Sequence, residues 1–297
     1  MPKTTTAKQL TTESSLILLP LNRDRLSMAT IVERDKLRHN MVLPDAVENR
    51  FRRIECEYAA RDRLRAANLH YRQKILLYGV PGCGKTLGAE RLAWNTGLTL
   101  VKVQFDSILS SFLGDTAKNL RKIFEEVSQT PCVLFFDECD SIIRTREDEK
   151  DVGELKRVVN TFLQVLDEYP ENGLIVMATN LTKSLDSAIW RRFDDAIELP
   201  RPGKSEVKSL LVQTLKASFG DAEAEELDWD ILLAETEGFS AAQVVTVAQN
   251  AAKTAIMKCQ AKGTVTQLLL IDAIDEIKGI PGFDTLRAEA TEILLTE

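Results

Sequence analysis

Long hydrophobic runs are missing from this chain. Apolar stretches such as "SLILLPL" from Ser15 and "CVLFF" from Cys132 fall far short of the roughly 18 residues that a membrane-crossing helix needs. The Thr-rich start, "MPKTTTAKQLTTESS", lacks the length and cleavage-site character of a secretory signal. Histidine is scarce, at two residues, and the five cysteines include no CxxC pair, which argues against a zinc site or a disulfide framework and fits a reducing compartment. A basic excess is missing too. The net charge is -7 and the pI about 5.2, so no field over the whole molecule draws it to nucleic acid. These absences describe a soluble protein, expected in the cytoplasm.

What is present has a clear order. At 297 residues the chain is long for one hydrophobic core and suggests a large domain with a smaller one. Residues 1–43 read as an N-terminal extension, disordered in part. From Pro44, "DAVENRFRRIECEYAARDRLRAAN" places Val47, Phe51, Ile54 and Tyr58 at helical spacing. Apolar runs then alternate with helical patterns: "KILLYG", "LTLVKVQF", "CVLFFDE", "LIVMATN" and "DAIELP" read as strands, "KTLGAERLAWNTG" and "NLRKIFEEVSQ" as helices. Such alternation implies crossover connections and a five-stranded parallel sheet flanked by helices, an α/β domain over residues 44–202. After "LPRPG" the strand signals stop. A helix capped by Ser205, another starting at Ser240 and a third in "TVTQLLLIDAIDEIKG" make residues 203–297 a small all-helical lid. The acidic run "DAEAEELDWD" between them reads as a solvated surface.

Three segments carry chemistry. "KILLYGVPGCGKT" gives Gly79-x-x-x-x-Gly84-Lys85-Thr86 between a strand and a helix, the context that a phosphate loop requires. Its backbone N–H groups, from Gly79, Val80, Pro81 (which lacks one), Gly82, Cys83 and Gly84 through Lys85, Thr86 and Leu87, surround phosphate oxygens at a helix N-terminus. Lys85 bridges the β and γ phosphates and Thr86 holds Mg²⁺ in such a loop. Cys83 reads as a tolerated small residue. "CVLFFDECD" delivers Asp137 and Glu138 to the carboxyl end of a buried strand, where ligands sit in α/β sheets; Asp137 suits Mg²⁺ and Glu138 the activation of water. "LIVMATN" ends at Asn180, whose amide can orient that water from the other side, and Arg191 and Arg192 follow a short helix.

In this order and spacing, the phosphate loop, "FFDE", "ATN" and "LDSAIWRRFD" resemble the AAA-type ATPases of the AAA+ superfamily over about residues 44–285. The resemblance implies that Asn180 is a sensor of the nucleotide. It also implies that Arg191 and Arg192 are arginine fingers reaching into a neighbouring subunit, and that "GFSAAQ" sets Ala241 near the adenine, with no role for Gln243. It further places "SSFLGDT" in a loop facing a central channel, where Phe112, Leu113 and Gly114 match the family's aromatic, aliphatic and glycine; Ser111 stands where a basic residue is usual. An aromatic offered to water there grips any extended polypeptide. The expectation is a ring, a hexamer, that hydrolyses ATP with Mg²⁺ to remodel, unfold or disassemble a protein or peptide substrate, with a separate protease as a further partner. The alternatives are a nucleic-acid-directed loader, which the acidic charge and Ser111 disfavour, and a regulatory ATP switch.

Overall fold

The computed structural model describes residues 29–104, 116–128, 130–140, 152–170, 172–180, 187–219, 227–258 and 265–280. Six strands among them form one sheet: β1 (Ala29–Val32), β2 (Lys74–Tyr78), β3 (Thr99–Gln104), β4 (Cys132–Asp137), β5 (Gly173–Thr179) and β6 (Asp195–Glu198), in the spatial order β1-β3-β4-β5-β2-β6. The five strands expected from the apolar runs are β2 to β6, and they pair in parallel. The sixth, β1, corrects the five-stranded expectation: it lies antiparallel on the outer edge of β3, with Ala29 opposite Val103. Its four residues, half-buried and half-exposed, are too short to show a period, and this is why residues 29–43 read as mere extension. Residues 29–32 of that lead-in are joined to the sheet.

The strands sort their side chains by parity, as a pleated sheet must. In β4, Leu134 and Phe136 point into one apolar layer with Phe124, Phe162 and Leu166. Val133 and Phe135 point into the other, with Phe51, Ile54, Leu77 and Leu92. The first layer is roofed by α4 (Thr116–Ser128) and α5 (Val152–Glu168), the second by α1 (Asp45–Ala59) and α3 (Lys85–Thr96). The long helix expected from Asp45 breaks at Ala60, and α2 (Arg61–Ala66) follows as a separate short piece. Helix α5 is an addition to the helices expected from the sequence and begins at the edge of a stretch outside the described residues. Burial on both faces makes the strands near-continuous in Val, Ile, Leu and Phe.

A short helix, α6 (Ser187–Trp190), precedes β6; beyond β6, helices α7 (Lys204–Phe219), α8 (Trp229–Glu235), α9 (Ala241–Met257) and α10 (Gln267–Lys278) build their own core around Leu211, Leu232, Phe239, Val244, Val247 and Leu270. Ser205 is not the cap of α7, because the helix starts one residue earlier and the hydroxyl donates to the Glu206 carboxylate at 2.9 Å. Helix α8 is an addition, started by Asp228, whose carboxylate accepts from the N–H groups of Asp230 and Ile231; that acid belongs to the run read as plain surface. Among the described residues no helix is long and apolar enough to cross a membrane.

Phe136 sits between Phe162, at 5.2 Å between ring centres, and Phe124, at 5.8 Å. Phe136→Ala is expected to lower the free energy of unfolding by about 3–5 kcal/mol, read by urea denaturation. A loss near about 0.8 kcal/mol, the worth of one buried methylene, would mean that the three rings are loosely packed.

Candidate nucleotide site

The parallel register brings three strand ends side by side. Strand β5 lies between β4 and β2, pairing Phe136 with Met177 and Thr179 with Tyr78. The residues that follow β4, β5 and β2 therefore emerge next to one another: Glu138 after the first, Asn180 after the second, the glycine-rich loop after the third. A further bond, from Cys139 N–H to the Ala178 carbonyl at 3.1 Å, pins the chain beyond β4 to β5.

The loop is shaped by close approach. Gly79 has φ +138° and a Cβ there would lie 2.4 Å from the Leu199 carbonyl oxygen; Gly82 has φ +78° and a Cβ would lie 2.7 Å from the Ser240 Oγ. Both positions exclude side chains sterically and conformationally. The lid touches the loop directly, since Ala242 N–H donates to the Gly82 carbonyl at 3.0 Å. Gln243 gains a definite structural part: its N–H donates to Ser240 Oγ and its side-chain oxygen accepts from Ser240 N–H at 2.7 Å, a reciprocal cap that fixes the start of α9.

Lys85 folds back into this turn, and its ammonium donates to the carbonyls of Gly79 at 2.7 Å and Val80 at 3.0 Å. Burial pulls its pKa below the ordinary lysine value, opposed by the charges of Asp140 and Asp137. Cys83 is buried and its thiol is pushed up by that burial, which keeps it protonated and inert. Thr86 donates its hydroxyl to Asp137 Oδ2 at 3.1 Å, and the same oxygen accepts from Lys102 of β3 at 2.7 Å. Glu138 is exposed and stands in the left-handed region, φ +55°. Asp140 accepts from the Thr179 hydroxyl at 2.6 Å and from Asn180 through both its backbone N–H, at 2.9 Å, and its amide, at 3.1 Å, so it holds Asn180 in place.

These groups face one cavity of about 720 Å³. Pro81 through Leu87, Asp137, Glu138, Asn180 and Ala241 line it; Gly79 and Val80 lie behind, holding Lys85. Arg38, Asn40, Met41 and Val42 from the lead-in and Leu210, Gln213, Thr214, Val245 and Thr246 from the lid complete the wall. Neither group is legible as a motif, since these polar and apolar residues lie far in sequence from the phosphate loop and come to it only through the fold. Lys102 and Asp140 are not legible either, although the latter stands in "FFDECD". The donor set suits Mg-nucleotide: a cradle that a Cβ would fill, an ammonium at its centre, a hydroxyl and a carboxylate together for a hard cation, and the apolar residues Met41, Val42 and Ala241 in the lining for a base.

Arg191 and Arg192 are not in this cavity. Strand β6 runs parallel to β2 with Asp195 level with Ile75 and Glu198 with Tyr78, so the arginines precede β6 at the end of the sheet opposite the phosphate loop, about 13 Å away along β2. Asp194 anchors that turn by accepting from the N–H groups of Gln73 and Lys74, each at 2.9 Å. Arg192 is bound by Asp167 of α5 at 2.9 Å, whereas Arg191 is exposed. Phe112, Leu113 and Gly114 lie outside the described residues.

The model of the ATPase family associated with various cellular activities (AAA) matches residues 75–201. The chain is 39% identical over 253 residues to an uncharacterized AAA family ATPase, y4kL, of Sinorhizobium fredii, covering 84% of this chain and 75% of the relative. It is 33% identical over 213 residues to the ATPase family gene 2 protein of Schizosaccharomyces pombe, covering 67% of this chain and 26% of that protein, so it spans about a quarter of the yeast relative. In architecture it is similar to the AAA domain of FIGL-1, with a TM-score of 0.71 at 19% identity, over 94% of this chain and 97% of the other, a likeness of fold.

The left-handed backbone at Glu138 costs on the order of 1–2 kcal/mol for a residue of this shape. Glu138→Asn, which tolerates that region better, is expected to raise the unfolding free energy by about 0.5–1 kcal/mol in urea melts. A net loss of stability would show that the carboxylate supports its own turn.

Proposed function

We propose, given that the chain belongs to the AAA family of ATPases, that it assembles into a ring, a hexamer, in which Mg-ATP hydrolysis in each cavity drives the remodelling of a protein substrate. The observation that carries the reading is the meeting of Lys85, Thr86, Asp137, Glu138 and Asn180 in one cavity walled by the lead-in and by the lid. ATP hydrolysis follows from the family.

The roles follow from position. Loop N–H groups and Lys85 hold the β and γ phosphates, Lys85 exchanging its two carbonyl partners for phosphate oxygens. Thr86 and Asp137 would hold Mg²⁺, which when bound neutralises phosphate charge. Glu138, exposed at the cavity, takes a proton from the attacking water, and Asn180, kept in place by Asp140, orients that water. Ala241 at the start of α9 closes on the base. Arg191 and Arg192 lie too far from their own cavity to serve it, which supports their supply to a neighbour. Between them, exposed Arg191 is the better placed to enter another subunit, while Arg192, tethered to Asp167, steadies the turn. Phe112 at a channel loop, with Leu113 and Gly114, would transmit the motion to a polypeptide.

Glu138→Gln is expected to retain ATP binding and to lose on the order of 10²–10⁴ in turnover, whereas Lys85→Ala loses binding as well. Equilibrium binding of ATP beside a phosphate-release assay separates the two, and near-normal hydrolysis by Glu138→Gln would remove Glu138 from the mechanism.

An arginine supplied by a neighbour is worth roughly 10³–10⁵ in rate. Arg191→Ala is therefore expected to be inactive alone and to regain partial turnover when mixed with Lys85→Ala, because mixed interfaces pair an intact site with an intact finger; Arg192→Ala is expected to lose less. Turnover strictly linear in protein concentration, without rescue in mixtures, would mean that each subunit works alone.

A further inference from the structure

Lys102 is a charged side chain beside the cavity for which hydrolysis, as described, has no use. It sits in register with Phe135 of β4, and the parity that sends Leu100 into the layer beneath α3 sends Lys102 the same way. Its stem crosses the Phe135 ring, with Nζ 5.7 Å from the ring centre, and the ammonium reaches Asp137 Oδ2 at 2.7 Å. That oxygen is the one to which the Thr86 hydroxyl donates at 3.1 Å, while Oδ1 accepts from Glu138 N–H at 3.1 Å. The Lys102 side chain is 29% exposed and its Asp137 partner 17%, so water screens the pair only in part. The charge of Lys102 also acts on Glu90 of α3, a buried acid that Arg38 already holds with its backbone N–H and with two guanidinium bonds. Glu90 is thus taken, and Asp137 is the acid that Lys102 neutralises.

We propose that Lys102 competes with the divalent cation for Asp137 and so sets how much Mg²⁺ the protein needs to bind nucleotide tightly. The inference rests on the reading of Thr86 and Asp137 as the metal-holding pair. Mg²⁺ in nucleotide sites is held by one or two carboxylates plus substrate phosphates and retains several waters, so the effective charge of each carboxylate weighs heavily. The Lys102 ammonium, 2.7 Å from Asp137 Oδ2 and only partly screened by water, already neutralises that carboxylate and repels a doubly charged ion that approaches the same oxygens. The same ammonium has the opposite effect on nucleotide without metal. It cancels a negative charge that would otherwise repel the triphosphate.

Two changes of opposite sign are therefore expected from Lys102→Met, which keeps the length of the side chain and removes its charge. The probe is a fluorescent, non-hydrolysable ATP analogue bound to the full chain, titrated with Mg²⁺ and separately measured in EDTA. The Mg²⁺ concentration for half-maximal binding should fall about tenfold, and binding in EDTA should weaken. Lys102→Arg should stay near wild type. Lys102→Gln should follow Lys102→Met, and thermal melts of both establish that the fold is kept. In an Asp137→Asn background the Lys102 substitutions should no longer move the Mg²⁺ half-point. A general loosening of the site would weaken binding under both conditions, so a half-point that stays in place or rises in Lys102→Met and Lys102→Gln overturns the proposal. If nucleotide binding by the wild-type chain does not depend on Mg²⁺ at all, the metal reading of Thr86 and Asp137 falls first and the proposal falls with it.

Discussion

Parallel strands that are buried on both faces have little freedom of register, because a slip of one residue would send every side chain into the wrong layer. In β4 such a slip would move Phe135 and Phe136 into each other's places and turn Asp137 away from Thr86. The nucleotide site therefore depends on an interaction that involves none of its own residues: the hydrogen-bonded register of β4, β5 and β2. Once that ladder is closed, Glu138, Asn180 and the phosphate loop stand at neighbouring strand ends. Their local chemistry can then be extreme, with a left-handed Glu138 and a buried lysine, because the sheet supplies the stability that these residues do not.

A second constraint is the seam between the loop and the lid. Gly82 has no room for a side chain because Ser240 and Ala242 press against it, and its carbonyl is the acceptor for Ala242 N–H. Arg201, on the link from β6 to α7, donates to the Gly238 carbonyl on the lid side of the same seam. The phosphate loop is thereby joined to the start of α9 by direct contacts. The lid core, centred on Leu211, Phe239 and Val244, is separate from the sheet's layers.

The parts legible in the sequence were those with a strong period or a chemical signature. Strands β2, β4 and β5 were readable because burial on both faces leaves unbroken apolar runs, β3 and β6 because they alternate with helical patterns, and Lys85, Thr86, Asp137 and Glu138 because their residue types at that spacing serve phosphate and metal. Strand β1 was not, since four residues at a sheet edge, with Ile31 exposed, have no pattern to show. Met41, Val42 and Leu210 reach the cavity only through the tertiary arrangement. Asp140 and Lys102 were hidden for a different reason: each acts through a partner distant in sequence, Asn180 in one case and Asp137 in the other, and a linear pattern does not pair them.

Strand β2 has a phosphate-binding loop at one end and, at the other, two backbone N–H groups clamped by Asp194, the carboxylate that follows the arginine turn. A β-strand is nearly inextensible, since it is already close to full length at about 3.3 Å per residue. The five residues of β2 are thus a stiff rod between the Asp194 carboxylate, which holds its first N–H groups, and Gly79 at its far end. In mechanical terms the strand is a shaft, and the phosphate loop is where the shaft ends.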